Sequence, residues 1–179
     1  MELNIKPDYV ISVDNDNYYV YVLLVEGELD RLISIINEMN NDLKQIIQII
    51  KPNSILSLRQ LALAIYHTVK SFRKRRNIAR KPYLELLLRL SGQKQIRDAL
   101  ASIGLPSKAV KACLIVILHE ACKHSLQELI HKVKSLNIKI KSAKEYFITP
   151  SALEGKIDFQ KIFDIERERI AKSALLDLL

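Results

Sequence analysis

Residues Val110–Leu118, VKACLIVIL, form a nearly continuous apolar run of strand length. Such a run reads as the central strand of a sheet. Beyond it, Ser125–Leu136 is a helix with Leu126, Leu129, Ile130 and Val133 facing inward. Ile138 and Ile140 then alternate with Lys139 and Lys141, the pattern of a solvated edge strand protected by lysines. A central strand followed by a helix and an edge strand places the chain in the α+β class, with helices packed on a small, mainly antiparallel or mixed sheet.

The N-terminal half agrees with this class. Tyr9, Ile11 and Val13 alternate with polar or smaller residues, Asp14-Asn15-Asp16-Asn17 supplies turn chemistry, and Tyr18–Leu24 resumes as a second strand of a hairpin. Gly27 breaks the pattern, and the acidic turn Glu28-Leu29-Asp30 opens a helix that runs to about Met39. QIIQII, residues 45–50, fits a buried strand or a helix, and the strand is favoured. From Ser57, the stripe Leu58, Leu61, Ala62, Ile65, Val69 and Phe72 is helical. Pro82 opens a further helix carrying Leu84, Leu87 and Leu88 inward, which Gly92 closes. Ile96, Ala99, Leu100 and Ile103 form the stripe of a short helix ending at Gly104. After a connector around Gly155, Asp164 is placed to cap a final helix with the stripe Ile170, Ala171, Ala174, Leu175 and Leu178.

The 179 residues read as one domain, residues 1–179, able to bury a substantial core. An apolar content of 49% with four glycines and five prolines excludes a low-complexity chain. No apolar run approaches a membrane span, and no signal peptide is expected at the polar N-terminus. Cys113 and Cys122 fit two reduced thiols in a cytoplasmic protein rather than a disulfide framework. The net charge of +8 is unevenly distributed. Residues 1–50 carry a net −6, residues 51–149 a net +15 and residues 150–179 a net −1. Positive charge gathered in the middle of the chain is evidence for a bound polyanion, with a merely solvated, salt-screened surface as the alternative.

Its densest part is Lys70, Arg73, Lys74, Arg75, Arg76, Arg80 and Lys81, seven bases in twelve positions with no acid among them. Arginine outnumbers lysine, which favours planar, bidentate contact with phosphate. Only Phe72 and Tyr83 accompany the run, so a short or structured nucleic-acid end fits better than an extended single-strand groove. Just downstream, RLSGQKQI (Arg89–Ile96) turns one apolar helix into the next at Ser91-Gly92. Gly92 permits a backbone open to few other residues, and the N–H groups starting the next helix can receive an anion. Gln95 offers both a donor and an acceptor for a base edge. A plain connection between helices, with Gln95 capping only backbone, is the alternative reading of this corner.

RLSGQKQI followed by RDALASIG resembles the R-x-S-G-x-x-Q-I signature of the small regulatory subunit of the KEOPS (EKC) complex, the PRPK-binding protein family. The resemblance runs from Leu56 to Ile103 and returns in IAKSALLDLL, similar to the family's closing E-x-x-A-L-L-D-L, with Ala171 where that pattern has glutamate. Elsewhere only the order of elements agrees. The resemblance implies a non-catalytic subunit of a complex that makes threonylcarbamoyladenosine in tRNA. Such a subunit binds and stimulates the complex's kinase-like ATPase subunit and, in archaeal members, holds the 3′ tail of tRNA; this chain reads as an archaeal member. The resemblance makes Arg89, Ser91, Gly92 and Gln95 candidates for the tail site, beside Lys70, Arg73, Arg75, Arg76 and Arg80 of the basic run.

His119, Glu120 and His124 in HEACKH stand five apart, not the four that a zinc-binding helix needs, so no metal or cofactor is expected. No phosphate loop or nucleophile elbow is present, and no enzymatic activity is expected. The final helix carries more leucines than one core-facing stripe uses, which makes Ile170, Ala174, Leu175 and Leu178 candidates for docking the kinase-like subunit. Two other readings compete: a free-standing RNA- or DNA-binding module, and, more distantly, a metal-dependent hydrolase.

Overall fold

The computed structural model describes residues 5–40, 42–143 and 159–176. A five-stranded antiparallel sheet stands between two helical layers. Its strands are β1 (Tyr9–Val13), β2 (Asp16–Glu26), β3 (Gln45–Ile50), β4 (Lys111–His119) and β5 (Lys139–Ser142). The helices are α1 (Asp30–Met39), α2 (Leu58–Arg73), α3 (Pro82–Ser91), α4 (Ile96–Ile103), α5 (Ser125–Ser135) and α6 (Phe159–Leu175). QIIQII is therefore a strand, β3, and VKACLIVIL lies between β2 and β3 as a central strand, β4.

Strand β2 organises the sheet. One of its edges pairs with β4 from Tyr18 to Glu26. Its other edge is shared, with β1 on Asp16–Val20 and β5 on Leu23–Glu26. In the gap between them the Val22 amide donates to Asp8 Oδ2 at 2.7 Å, so the uncovered backbone group is paired. The outer edge of β3 is closed in a similar way: Asn40 donates to the Ile47 carbonyl and accepts from its amide, at 3.0 and 2.7 Å, as a neighbouring strand would.

The side-chain period of two splits each strand between two cores. Tyr18, Val20, Val22, Ile46, Ile50, Cys113, Ile115 and Ile117 meet α2, α3, α4 and Leu176. Tyr21, Leu23, Val25, Ile47, Leu114, Val116 and Leu118 meet α1 and α5. Burial on both faces is what made β4 read as unbroken hydrophobicity, here in an antiparallel rather than a parallel sheet.

Helix α3 is the inner helix of its layer. Leu86, Leu87, Leu88 and Leu90 are all buried, so it is covered nearly all round by its neighbours. Ser57 caps α2 by accepting from the Gln60 amide at 3.0 Å. The Gln60 side chain then donates to the Leu90 carbonyl at 2.9 Å, tying the start of α2 to the end of α3.

Three sequence expectations change. Ile96 and Leu100 lie exposed on α4, and only Ala99 and Ile103 of the expected stripe are buried, because this two-turn helix rests on α3 along a narrow line. Asp164 lies inside α6, which begins five residues earlier at Phe159, so it is not the cap. Among residues 167–176, whose burial is described, the inward ones are Ser173 and the adjoining Leu176, with Ile170 half-buried. Ala171, Ala174 and Leu175 face outward.

Candidate functional site

The basic run sits at the C-terminal end of α2, where lone carbonyls favour cations. It is not without acids. Asp14, at the tip of the β1–β2 turn, accepts from Lys70 Nζ at 2.6 Å and from Arg73 at 2.8 Å. Arg73 also binds the Asp16 carboxylate, the Val13 carbonyl at 2.8 Å and the Tyr18 hydroxyl at 3.2 Å, with its guanidinium beside the Tyr18 ring. The hydrogen bonds from Lys70 and Arg73 hold the Asp14 carboxyl below the usual carboxylate range and keep Lys70 above the usual ammonium one. Two of the seven bases are thus neutralised by residues more than fifty positions away, which is why the run looks uncompensated in sequence.

The others remain open to solvent. Lys74, Arg75, Arg76, Arg80 and Lys81 are exposed and have no ion-pair partner among the described residues. The loop that displays them is held from beneath by Glu85, which is fully buried. Its Oε2 accepts from the amides of Ile78 and Ala79 at 2.9 and 2.8 Å, and its Oε1 from Ser71 Oγ at 3.3 Å. Earlier in the loop, Arg75 takes a left-handed conformation with φ of 54°. Its amide bonds the Phe72 carbonyl and that of Arg76 bonds Ser71, which closes α2 in a Schellman motif.

The same end of α2 forms one wall of a cleft of about 130 Å³, lined by Tyr66, His67, Lys70, Ser71, Lys74 and Arg76. Tyr66, Lys70 and Lys74 succeed one another every four residues along an outer line of the helix. Lys70 Nζ lies 5.8 Å from the Tyr66 ring, and His67 meets that ring edge-on. Three cations beside a half-exposed aromatic ring can hold a phosphate and stack a planar base.

The helix corner is built differently from the sequence expectation. Arg89 is completely buried. It bonds Glu85 through Nε at 3.1 Å and Nη2 at 2.8 Å, while Nη1 donates to the Ser173 carbonyl of α6 at 2.8 Å. Ser91 is buried too, its hydroxyl donating to the Leu88 carbonyl at 3.1 Å. Gly92 has the left-handed φ of 68° its position requires, but it faces α6: a Cβ there would lie 3.1 Å from Lys172 Cβ. Of the four corner residues only Gln95 is exposed, at the start of α4. Arg89 and Gly92 are thus packed against α6, and Ser91 is buried beside them.

Three cleft residues, Tyr66, His67 and Ser71, were missed in the sequence. The four-residue spacing of Tyr66, Lys70 and Lys74 was the available signal for the cleft. Glu85 four before Arg89, inside a helix of leucines, was the signal for a buried pair. His119 accepts from the Ala121 amide through Nδ1 at 3.2 Å and packs edge-on against Tyr18. Among the described residues no three His, Cys, Asp or Glu side chains converge as a metal site would need.

A family model described as kinase binding protein CGI-121 matches residues 27–178. The chain belongs to that family. Kinase binding comes with the membership, and so does a kinase as partner. No individually curated protein matches the chain. Of the candidate docking residues on α6 of this kinase-binding protein, Ala174 and Leu175 are exposed, Leu175 by 56%, and Ile170 is half-buried. Leu178 lies outside the described residues.

Proposed function

We propose that the protein is a non-catalytic, cytoplasmic regulatory subunit of an archaeal KEOPS complex, which binds and stimulates the kinase-like ATPase subunit and holds the unpaired 3′ end of tRNA during threonylcarbamoyladenosine synthesis. Membership of a kinase-binding family supports the regulatory half of this reading. The cleft at the end of α2 supports the RNA half: Lys74 and Arg76 present cations, unpaired among the described residues, beside the accessible ring of Tyr66. Lys70 belongs to the same wall, Arg75 and Arg80 extend the charge, and Gln95 lies apart on α4. Arg73 supports the site by fixing the β1–β2 turn. A free-standing nucleic-acid module accounts for the charge but not for the kinase-binding family.

The test is tRNA binding across a range of salt concentrations. Replacing Lys74 and Arg76 together with Ala is expected to weaken binding and to lower the salt slope by about 0.7–0.9 per lost phosphate contact. Tyr66→Ala is expected to weaken it by about 1–3 kcal/mol if one base stacks there. A tRNA trimmed of its 3′ tail that bound as well as the intact molecule would remove the tail from the reading.

A further inference from the structure

We infer that Asp14 is the resident anion of the α2 cleft and sets its affinity for phosphate: a ligand engages Lys70 only by displacing the Asp14 carboxylate. This rests on the reading of the cleft as a phosphate site. Lys70 is one of the cations lining the cleft, and among the described residues Asp14 is the single hydrogen-bonding partner of its ammonium, at 2.6 Å. The carboxylate spans Lys70 and Arg73 as two oxygens of a phosphate would. Its side chain is 46% exposed, so the pair can be reached and screened from solvent. Arg73 keeps Asp16, the Val13 carbonyl and Tyr18 if Asp14 leaves, and so remains an anchor.

The arrangement gives the cleft two strengths. Lys74 and Arg76 accept a first phosphate without rearrangement. The third cation comes at the cost of an ion pair, and exposed pairs are weak enough to exchange. A ligand with successive phosphates, such as a single-stranded polynucleotide, gains that third contact, whereas a lone anion is held by two. Asp14 belongs to the β1–β2 hairpin, which precedes the family-matched residues 27–178. This attenuator is therefore supplied by a part of the chain that the family match does not include.

Asp14→Asn tests the inference with little disturbance of the turn, because asparagine tolerates the left-handed φ of 57° that Asp14 occupies. Glu38→Gln, exposed on α1 in the opposite layer, makes the same change in net charge away from the cleft. A short single-stranded RNA is titrated at several salt concentrations, with thermal unfolding run on each variant. Asp14→Asn is expected to bind about two- to fivefold more tightly, with a salt slope steeper by about 0.7, while Glu38→Gln keeps the wild-type slope. Lys70→Met is expected to abolish the gain of Asp14→Asn, so that the double variant binds no more tightly than Lys70→Met alone. Asp14→Asn behaving as Glu38→Gln, or retaining its gain with Met at position 70, overturns the inference. If Lys74→Ala and Arg76→Ala still weaken binding in that case, the cleft reading survives alone. If neither the wild type nor any variant binds the RNA, both fall.

Discussion

Arg75 stands where helix C-termini ordinarily place glycine. A left-handed conformation costs an L-residue roughly 1–2 kcal/mol, and a long cationic side chain brings no local hydrogen bond to offset it, as Asn or Asp would. The residue is exposed and has no ion-pair partner among the described residues, so no contact with them accounts for arginine there. The expected purpose is display of charge beside the cleft. Arg75→Gly is then expected to raise stability by about 0.5–1 kcal/mol, the relief of strain less the added freedom of the unfolded chain, seen as a melting temperature a few degrees higher. The same variant is expected to bind tRNA more weakly. A variant that gained stability with undiminished RNA affinity would show that charge display is not why arginine occupies this position. Cys113 illustrates the reverse case, a residue withdrawn from chemistry: burial, with a smaller contribution from Asp8, pushes its thiol up to about 12. Only Cys122 is expected to be alkylated in the native protein at pH 8, with both modified after denaturation.

At the scale of elements, the Glu85–Arg89 pair joins three pieces that the sequence keeps apart. Glu85 holds the arginine loop by its backbone amides, and Arg89 reaches the Ser173 carbonyl on α6, eighty-four residues away. Removing one partner leaves an unpaired buried charge, so Arg89→Met is expected to destabilise the protein by about 3–5 kcal/mol in urea unfolding. Apolar replacement of both residues is not expected to rescue it, since the amides of Ile78 and Ala79 would lose their acceptor. Full stability in the double variant would contradict this account. Here the limits of the sequence are plain. Strand β4, the N-terminal hairpin and the bounds of α2, α3 and α5 were legible because their apolar periods and end signals are local. The corner residues were found, but the burial of Arg89, Ser91 and Gly92 was not legible, because motif and composition do not reveal what covers a residue. Arg89 looks like a surface base until α6 is folded over it. Asp14 looks unrelated to the basic run until β1 and β2 bring it to α2, and Ile96 and Leu100 look like core until α4 proves to touch its neighbour by a narrow line.

For the whole molecule, the two sides of the sheet carry different burdens. The layer of α1 and α5 closes one core, whereas the layer of α2, α3, α4 and α6 holds the cationic cleft and, in α6, the candidate surface for the kinase. Both features rest on α3, so a variant that unfolds this layer would lose RNA and kinase together and show nothing about either contact. Adjacent leucines at the end of α6 provide the separation. Leu175 is 56% exposed and Leu176 is 3% exposed. Leu176→Glu places a charge in the core and is expected to destabilise the isolated protein by several kcal/mol. Leu175→Glu is expected to leave the unfolding midpoint within about 0.5 kcal/mol of the parent, as surface changes do. Burying one leucine contributes roughly 1.5–3 kcal/mol. If Leu175 docks on the kinase, its replacement by glutamate should therefore weaken that association by about tenfold or more without altering tRNA affinity through the cleft. Kinase affinity is to be measured by calorimetry on proteins whose melting curves have been compared first. A folded Leu175→Glu variant that binds the kinase at full strength would move the interface off this face of α6, while leaving the chain's membership of a kinase-binding family untouched.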